Sequence, residues 1–349
     1  MRGNLDKSIS VRAQGDIYTL WKPVNEILGS HNTKITITLD LHNRRARRIS
    51  HGVFEVLVET RSTHIDWKLK LNGVSITREF KPTFLLELPD LNRYLCKFVY
   101  DITGLLNTDE ATSREWANVT VKHDGGDPLV LRGIMLSAIY EDTEAFSTYN
   151  HVTGLLLLER DDEFTYNLNS LLQNTGDVQV KLVFYAPRAV RVRAVLGDKT
   201  ETLTLQHNQV EEYTISSTFT PYIKLTPEVH ENIQNYVVLS SVTVYSTSLR
   251  TPHLSIESIE ASRQGSSIKI KLRIANNGES IPDRVIISVF NRGFLLGMVK
   301  CDPCKYEPNT LVEEELVIPA QSQLSELTVR IAWSKLTRTW FTDGKVVLA

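Results

Sequence analysis

Three cysteines in 349 residues are too few for a disulfide framework. Two of them, Cys301 and Cys304, form a lone C-x-x-C far from Cys96. A structural zinc site takes about four nitrogen or sulfur ligands, as a rule from two such pairs, and no second pair exists. A thioredoxin-type redox role needs a βαβ setting, which does not surround this motif. The turn Cys301-Asp302-Pro303-Cys304 therefore leaves three readings: two incidental thiols, a local disulfide, or a half-site completed by another chain. Also missing is any run of the ~18 to 20 apolar residues that a membrane span takes. Met1 to Trp21 has no apolar core between a basic start and a small-residue cleavage site, so the expectation is a soluble chain with no transmembrane segment. Nor is there an excess of one charge. The 39 Lys+Arg against 41 Asp+Glu leave a net charge of -2, and no nucleic acid partner is expected through the overall field. The common local signatures of hydrolases, nucleotide enzymes and zinc proteases do not occur: no Gly-x-Ser-x-Gly elbow, no phosphate-binding loop, no His-Glu-x-x-His, no Gly-x-Gly-x-x-Gly. The expectation is a protein that is not an enzyme.

What is present is ordinary globular composition, 42% hydrophobic and 23% charged, and a repeated period-two alternation. Ile35, Ile37, Leu39 and Leu41 alternate with polar residues; so do Ile65, Trp67, Leu69 and Leu71, then Val178 to Phe184, then Ile268 to Ile274. Alternation of period two puts successive side chains on opposite faces of a strand. A single wet face marks antiparallel sheets, because parallel sheets covered on both faces read as continuous apolar runs. Asn72-Gly73, Gly125-Gly126, Asn277-Gly278 and Gly197-Asp198 supply the turns. Helical periodicity is scarce, with Thr226 to Tyr236 the one short helix expected, Pro227 in its first turn. The fold class is all-β, built of tandem antiparallel β-sandwiches. At ~100 to 150 residues per sandwich three fit: a jelly roll over 1–142, a second sandwich over 143–250 after a polar connection from Thr143 to His151, and a third over 251–349. Trp67 shares a face with Ile65 and Leu69 and is expected in the core.

The last hundred residues carry a pattern. Pro252 to Ile259 opens a strand, Gly265 precedes the run Ile268 to Ile274, Ala275-Asn276-Asn277-Gly278 closes it, and strands at Val285 to Phe290 and Leu327 to Trp333 follow. This resembles the CARDB module, an immunoglobulin-like sandwich named for cell adhesion, over about residues 252 to 335. In the first sandwich, Tyr100-Asp101-Ile102-Thr103-Gly104-Leu105-Leu106 with Trp116 to Val121 is similar to a segment of galactose-binding-like jelly rolls. With Ala138 to Asp142 it also resembles an archaeal domain of unknown function that accompanies CARDB. These resemblances imply a prokaryotic, archaeal protein at the cell surface or outside the cell; with no signal-peptide pattern at Met1 to Trp21, the cytoplasm is the alternative. They imply binding or structural work by contact with a protein or glycan surface, and they transfer no catalytic residue. Sheet edges of such sandwiches also offer self-assembly by strand pairing. Asp101 and Thr103 suit a turn in which both side chains accept from backbone N–H groups.

Four arginines, Arg44, Arg45, Arg47 and Arg48, stand in five positions after His42. They make either a phosphate, acidic-sugar or acidic-protein patch or a solvated segment that keeps a sheet edge from aggregating. Trp116, Phe146 and Tyr149 are the aromatics free to stack on a sugar. Asp124 and Asp127, and the acidic run Glu159 to Glu163, have the oxygen chemistry for calcium, which takes six to eight such ligands; turn chemistry explains Asp124 to Pro128 equally well. Asn118-Val119-Thr120 is the one N-glycosylation sequon. Two alternatives stay open: a carbohydrate-binding accessory protein, and a glycan hydrolase. The latter needs two carboxylates ~5 to 10 Å apart in a cleft between the first two sandwiches.

Overall fold

A computed structural model of the chain describes residues 1–41, 44, 47–76, 81–89, 91–167, 178–217, 222–228, 235–320 and 326–348. The chain is all-β and every strand pair on record is antiparallel. It divides into two compact units, Met1–Ser248 and Leu249–Ala349.

The first unit is built of four sheets. The first sheet orders Lys34–Asp40, Trp116–Gly125, Asp66–Leu71 and Val74–Ser75; the second orders Asp16–Leu28, Leu129–Tyr140, Ile49–Thr60, Arg93–Asp101 and Phe84–Leu88. Asp16–Leu28, Lys34–Asp40, Ile49–Thr60 and Asp66–Leu71 alternate between these two sheets, as do Arg93–Asp101, Trp116–Gly125 and Leu129–Tyr140, the winding of a jelly roll. Alternation in sequence becomes packing here: Ile37, Leu39, Trp67, Leu69, Val119 and Val121 are buried, and the Trp67 ring lies 4.7 Å from that of Phe98 across the sandwich. The third sheet orders Arg2–Gln14, Ala145–Leu158, Val237–Leu249, Val178–Ala186 and Gln209–Ser217. The fourth orders Phe164–Asn167, Tyr222–Glu228, Val190–Leu196 and Lys199–Leu205. Leu182, Phe184 and Leu239 of the third sheet share a core with Val192, Leu203 and Leu225 of the fourth.

The second and third sheets also pack on each other. Trp21, Leu57, Leu95 and Met135 from one and Leu155, Val183, Tyr185 and Val238 from the other form a single buried cluster. Strand Ile49–Thr60 is therefore covered on both faces, and nearly all of it is buried. The stretch Thr143 to His151, read from sequence as a connection, is strand from Ala145 onward. It pairs with Arg2–Gln14 from the chain's start. Its polarity has a physical reason: Ser147, Thr148, Asn150 and His151 are buried polar residues, not solvated ones. The helix expected at Thr226 to Tyr236 is corrected over its described part. Thr226 and Pro227 lie in strand Tyr222–Glu228, where Pro227 stands opposite Val192; residues 229–234 are outside the described residues.

Two β-bulges shape the joint between the second and third sheets. A bulge adds one residue to a strand and re-aims its side chain. In Leu129–Tyr140 the ladder to Ile49–Thr60 steps from Leu131 to Gly133 while its partner steps only from Val58 to Leu57, so Arg132 is the extra residue. In Val237–Leu249 the ladder to Val178–Ala186 steps over Ser240. Gly133 is required beside the first: a Cβ there would lie 2.3 Å from the Trp21 ring.

The C-terminal unit packs a three-stranded sheet, Leu254–Gln264, Ser267–Asn276 and Leu311–Pro319, on a four-stranded one, Phe294–Cys301, Arg284–Asn291, Glu326–Lys335 and Arg338–Val347. Three strands against four, with all pairs antiparallel, is the immunoglobulin-like arrangement. Its core holds Ile270, Leu272, Ile287, Val289, Val329 and Trp333. Asn276 ties one end: its amide donates to the carbonyls of Ser280 (2.9 Å) and Tyr306 (2.8 Å), and its Oδ1 accepts from His253 N and Gly278 N. Gly278 allows that closure, since a Cβ would stand 2.3 Å from His253 N. Asn276→Ala would leave four backbone groups without this partner, two of them buried. It is expected to lower the stability of this unit by about 3 kcal/mol in urea unfolding, and a loss below about 0.5 kcal/mol would contradict that role.

Candidate functional site

Three arrangements compete as the functional site: the residues singled out from sequence, a set of buried charges, and the outer sheet faces. The arginine cluster does not present one basic patch. Arg44 is fully buried, and its guanidinium donates to the carbonyls of Ala111 (2.8 Å), Leu106 and Arg47 (3.2 Å). It fastens the short turns Thr103–Leu106 and Asp109–Thr112 to the strand connection, so the binding role expected of it gives way to a structural one. Burial moves its pKa down from the ordinary value. Arg47 pairs with Asp142 at 2.9 Å, Arg48 is exposed, and Arg45 lies outside the described residues. The neighbouring turn forms as the residue types dictate: Thr103 N donates to Asp101 Oδ1 (2.9 Å), and Gly52 N donates to Thr103 Oγ1 (2.8 Å).

Among the aromatics, Tyr149 is corrected. It is buried on the strand Ala145–Leu158 and stacks on His151 at 6.0 Å, where no sugar reaches it. Phe146, of opposite parity on the same strand, is exposed, and so is Trp116, whose ring carries the Arg114 guanidinium at 4.8 Å. Asp124 does not offer a calcium site either. Lys122 and Lys68 take its two oxygens at 2.5 and 2.7 Å, and their hydrogen bonds hold its pKa down at about 2. The Asp127 carbonyl meets His123 Nε2 at 3.1 Å. In the second acidic run, Glu159 pairs with Arg2 and Glu163 with Lys224. No grouping of metal-ligating side chains occurs among the described residues. Asn118 sits half-buried on its strand, accepting from Thr38 Oγ1 at 2.9 Å. Cys301 and Cys304 are free thiols, Cys301 ending a strand and Cys304 lying within the short turn Pro303–Lys305.

Between the second and third sheets lie two buried ionic clusters that sequence reasoning missed. Glu55 faces Lys97 at 2.8 Å and His151 Nε2 at 2.7 Å; Lys97 donates to Ser240 O (2.6 Å) and Oγ (2.9 Å), and His151 Nδ1 meets Thr243 Oγ1 at 2.8 Å. The ammonium thus finds a carbonyl at the Ser240 bulge. Glu59, four residues along, accepts from Arg132 Nε (2.9 Å), Arg93 and Tyr185 OH (3.0 Å), and Arg132 continues to Asn208 O at 3.1 Å. Burial alone would push both carboxyls up, yet Lys97 and His151 hold Glu55, and Arg132 and Arg93 hold Glu59, below the usual range. Burial moves Lys97 down. These two carboxylates do not make a glycosidase pair. Four residues along a strand separate their Cα atoms by roughly 13 Å, and both side chains are sealed between sheets. The signal was present in the sequence: Glu55, Glu59, Lys97 and Arg132 each interrupt an otherwise apolar strand.

The outer faces remain. In the C-terminal unit they are unlike. On the three-stranded sheet the outward rows read Ser258–Arg273–Glu313, Glu260–Lys271–Glu315 and Ser262–Lys269–Val317, with Lys269 bridging to Glu315 at 2.6 Å. On the four-stranded sheet the outward rows read Lys300–Ile286–Ala332–Phe341, Met298–Ser288–Arg330–Asp343 and Leu295–Phe290–Thr328–Lys345. Here Phe341 is 62% exposed, Leu295 56%, Met298 55% and, at the hairpin beyond, Phe294 77%. Arg330 holds the centre. It donates twice to Asp343, at 2.7 Å each, and lies over the rings of Phe341 (4.4 Å) and Phe290 (5.9 Å). This face was also missed, although Val285-Ile286-Ile287, Phe294-Leu295-Leu296 and Trp340-Phe341 are apolar at both parities, which a strand with one wet face is not.

No protein-family model matches the chain, and no curated protein matches it. Among solved structures it is similar to β-glucuronidases. That of Ruminococcus gnavus is 13% identical over 59% of this chain and 36% of the enzyme, with TM-score 0.21. Bacteroides uniformis β-glucuronidase 3 is 12% identical over 58% and 27%, with TM-score 0.23. The Parabacteroides merdae enzyme is 12% identical over 58% and 28%, with TM-score 0.24. The chain therefore spans between 27% and 36% of these enzymes' length, and at such TM-scores the likeness carries no functional weight.

Arg44→Ala is expected to cost about 2–3 kcal/mol, because three buried carbonyls lose their donor. Arg48→Ala should stay within about 0.5 kcal/mol. Thermal unfolding of the two variants separates a structural arginine from a surface one; equal effects would contradict the placement. For the buried joint, Lys97→Met leaves Glu55 without its ammonium and should cost about 3–5 kcal/mol, most of it regained in Glu55→Met/Lys97→Met. The pH dependence has a definite sign. Glu55 and Glu59 have folded pKa values below the ~4.3 of an unfolded Glu, so their stabilisation is complete above that pH and drains as pH falls through the folded values. The double variant should therefore lose less stability below about pH 4 than the wild type; parallel curves would contradict the joint.

Proposed function

We propose that the chain is a non-catalytic binding protein that acts by protein contact through the outer face of the four-stranded C-terminal sheet. Its setting, on this reading, is the prokaryotic, archaeal cell surface or exterior that the CARDB resemblance implies. The observation that carries the reading is the difference between the two outer faces of one sandwich. The outward rows of the three-stranded sheet are serine, lysine, arginine and glutamate apart from Val317, whereas the four-stranded sheet places Phe341, Phe290, Leu295, Met298 and Ile286 around a clamped arginine. Contiguous exposed apolar surface of a few hundred Å² marks interaction sites, and phenylalanine, methionine and arginine are the residues enriched at protein interfaces. Arg330 is fixed before binding by Asp343 and two rings, so little side-chain entropy is lost when the face is covered. The buried ionic clusters do not compete with this reading, because their charges are spent on each other.

A photo-crosslinking amino acid at position 298 tests it in the cells from which the chain comes. Adducts to protein at 298, and none from the same probe at 271 on the charged face, are the expected result. Equal labelling at both, or none at either, would refute it. A second reading, glycan contact, is favoured by Trp116, which is exposed at the end of a strand that carries Asn118 and Thr120 on the same face. Arg114 covers one side of the ring, so a sugar would take the other. Trp116→Ala should abolish binding to whichever glycan an array retains; unaltered retention would dispose of this reading.

A further inference from the structure

We infer that the occupant of the apolar C-terminal face is a second copy of this chain, packed sheet face against sheet face. The inference rests on the protein-contact reading and names its partner.

The charges select the partner. In the middle of the face Arg330 and Asp343 neutralise each other through two hydrogen bonds, and Lys345 pairs with Glu326 at 3.0 Å. Lys300 stands at one corner. A strongly acidic or basic partner finds no complement in the centre, and its charges would be buried unpaired there at high cost. What fits is a surface with apolar residues around a charge-neutral centre. The chain carries such a surface in this face itself, and a face that is its own complement forms a closed, isologous pair. Sheets pack face to face at about 10 Å in β-sandwiches by interdigitating apolar side chains of this kind.

Area sets the strength. Four strands ~4.8 Å apart and three to four outward rows ~6.8 Å apart give roughly 19 by 24 Å, or about 450 Å² per copy. Two copies bury about 900 Å², short of the ~1,600 Å² of stable complexes and within the range of transient ones. The pair is therefore reversible and concentration-dependent. It is also a matter of faces and not of edges. At both edge strands of the four-stranded sheet the backbone folds in against the facing sheet: a Cβ on Gly297 would lie 2.7 Å from Ile318 Cγ2, and one on Gly344 2.4 Å from Ile259 Cδ1.

Sedimentation velocity of the full chain over a rising concentration series tests the inference. The wild type and Lys271→Glu, on the charged face, should shift from the monomer toward twice its mass. Phe341→Glu and Met298→Glu should remain monomeric. Met298 is exposed and outside the core, so its variant stays informative even if Phe341→Glu fails to fold, which circular dichroism reports. A wild type that is monomeric throughout, or a dimer that survives both substitutions, overturns the inference. If the wild type is monomeric and the probe at position 298 still captures another protein in cells, the contact surface stands with a different occupant. If the probe captures nothing, the protein-contact reading falls as well.

Discussion

Glu55 sits between two sheets with its carboxylate in contact with an ammonium from one sheet and an imidazole from the other, and no water reaches any of the three. A charge in that position is tolerated only with its partners, so the two sheets cannot separate without exposing or stranding it. Lys97 binds across the gap to Ser240, Tyr185 and Asn208 cross it to Glu59 and Arg132, and Lys181 crosses to the Thr19 carbonyl at 3.2 Å. The consequence is architectural. Two sandwiches share a third interior, and the unit from Met1 to Ser248 has four sheets. The apolar residues around the charges, Leu57, Leu95, Met135, Leu155 and Val238, supply burial. The ionic contacts supply register, because a shift of one residue in either sheet would point each charge at a hydrocarbon neighbour.

The groups best suited by type to acid–base work, Glu55, Glu59, His151 and Lys97, are committed to the joint. Asp124 is committed to two lysines and Arg44 to three carbonyls. On the surface, the Phe341 face of the C-terminal unit departs from water-compatible composition, with Phe294, Leu295, Met298 and Phe341 exposed. On the opposite sheet the same immunoglobulin-like sandwich carries Arg273, Lys271 and Lys269 beside Glu313, Glu260 and Glu315. The two faces thus differ in kind while the core between them is ordinary.

Much of the fold was legible in the sequence because antiparallel strands with one wet face write their pattern at period two. Ile35 to Leu41, Ile65 to Leu71 and Ile268 to Ile274 all became strands with the expected inward residues, and Asp101 and Thr103 made the turn their side chains favour. The failures share one cause. Pattern reading takes polar residues to face water, and in this chain some of them face each other. Thr143 to His151 looked like a connection because its serine, threonine, asparagine and histidine are buried among other polar groups. Arg44 looked like part of a ligand patch because nothing local reveals that Leu106 and Ala111, more than sixty positions away, present carbonyls to it. The buried charges were visible as interruptions of apolar strands, but their pairing spans separations from 34 to 96 positions, as Glu59–Arg93 and Glu55–His151 show. Bulges at Arg132 and Ser240 leave no mark in composition. Pro227 and its neighbours read as a helix start because proline suits that place, whereas tertiary pairing drew them into a strand.

The joint is tested most directly by native-state hydrogen exchange on the full chain. Amides of Ile49–Thr60 and Arg93–Asp101 on one side, and of Ala145–Leu158 and Val237–Leu249 on the other, should open in a single event with one free energy, since neither sandwich can release the other's charges alone. Two well-separated opening free energies, one for each sandwich, would contradict the account.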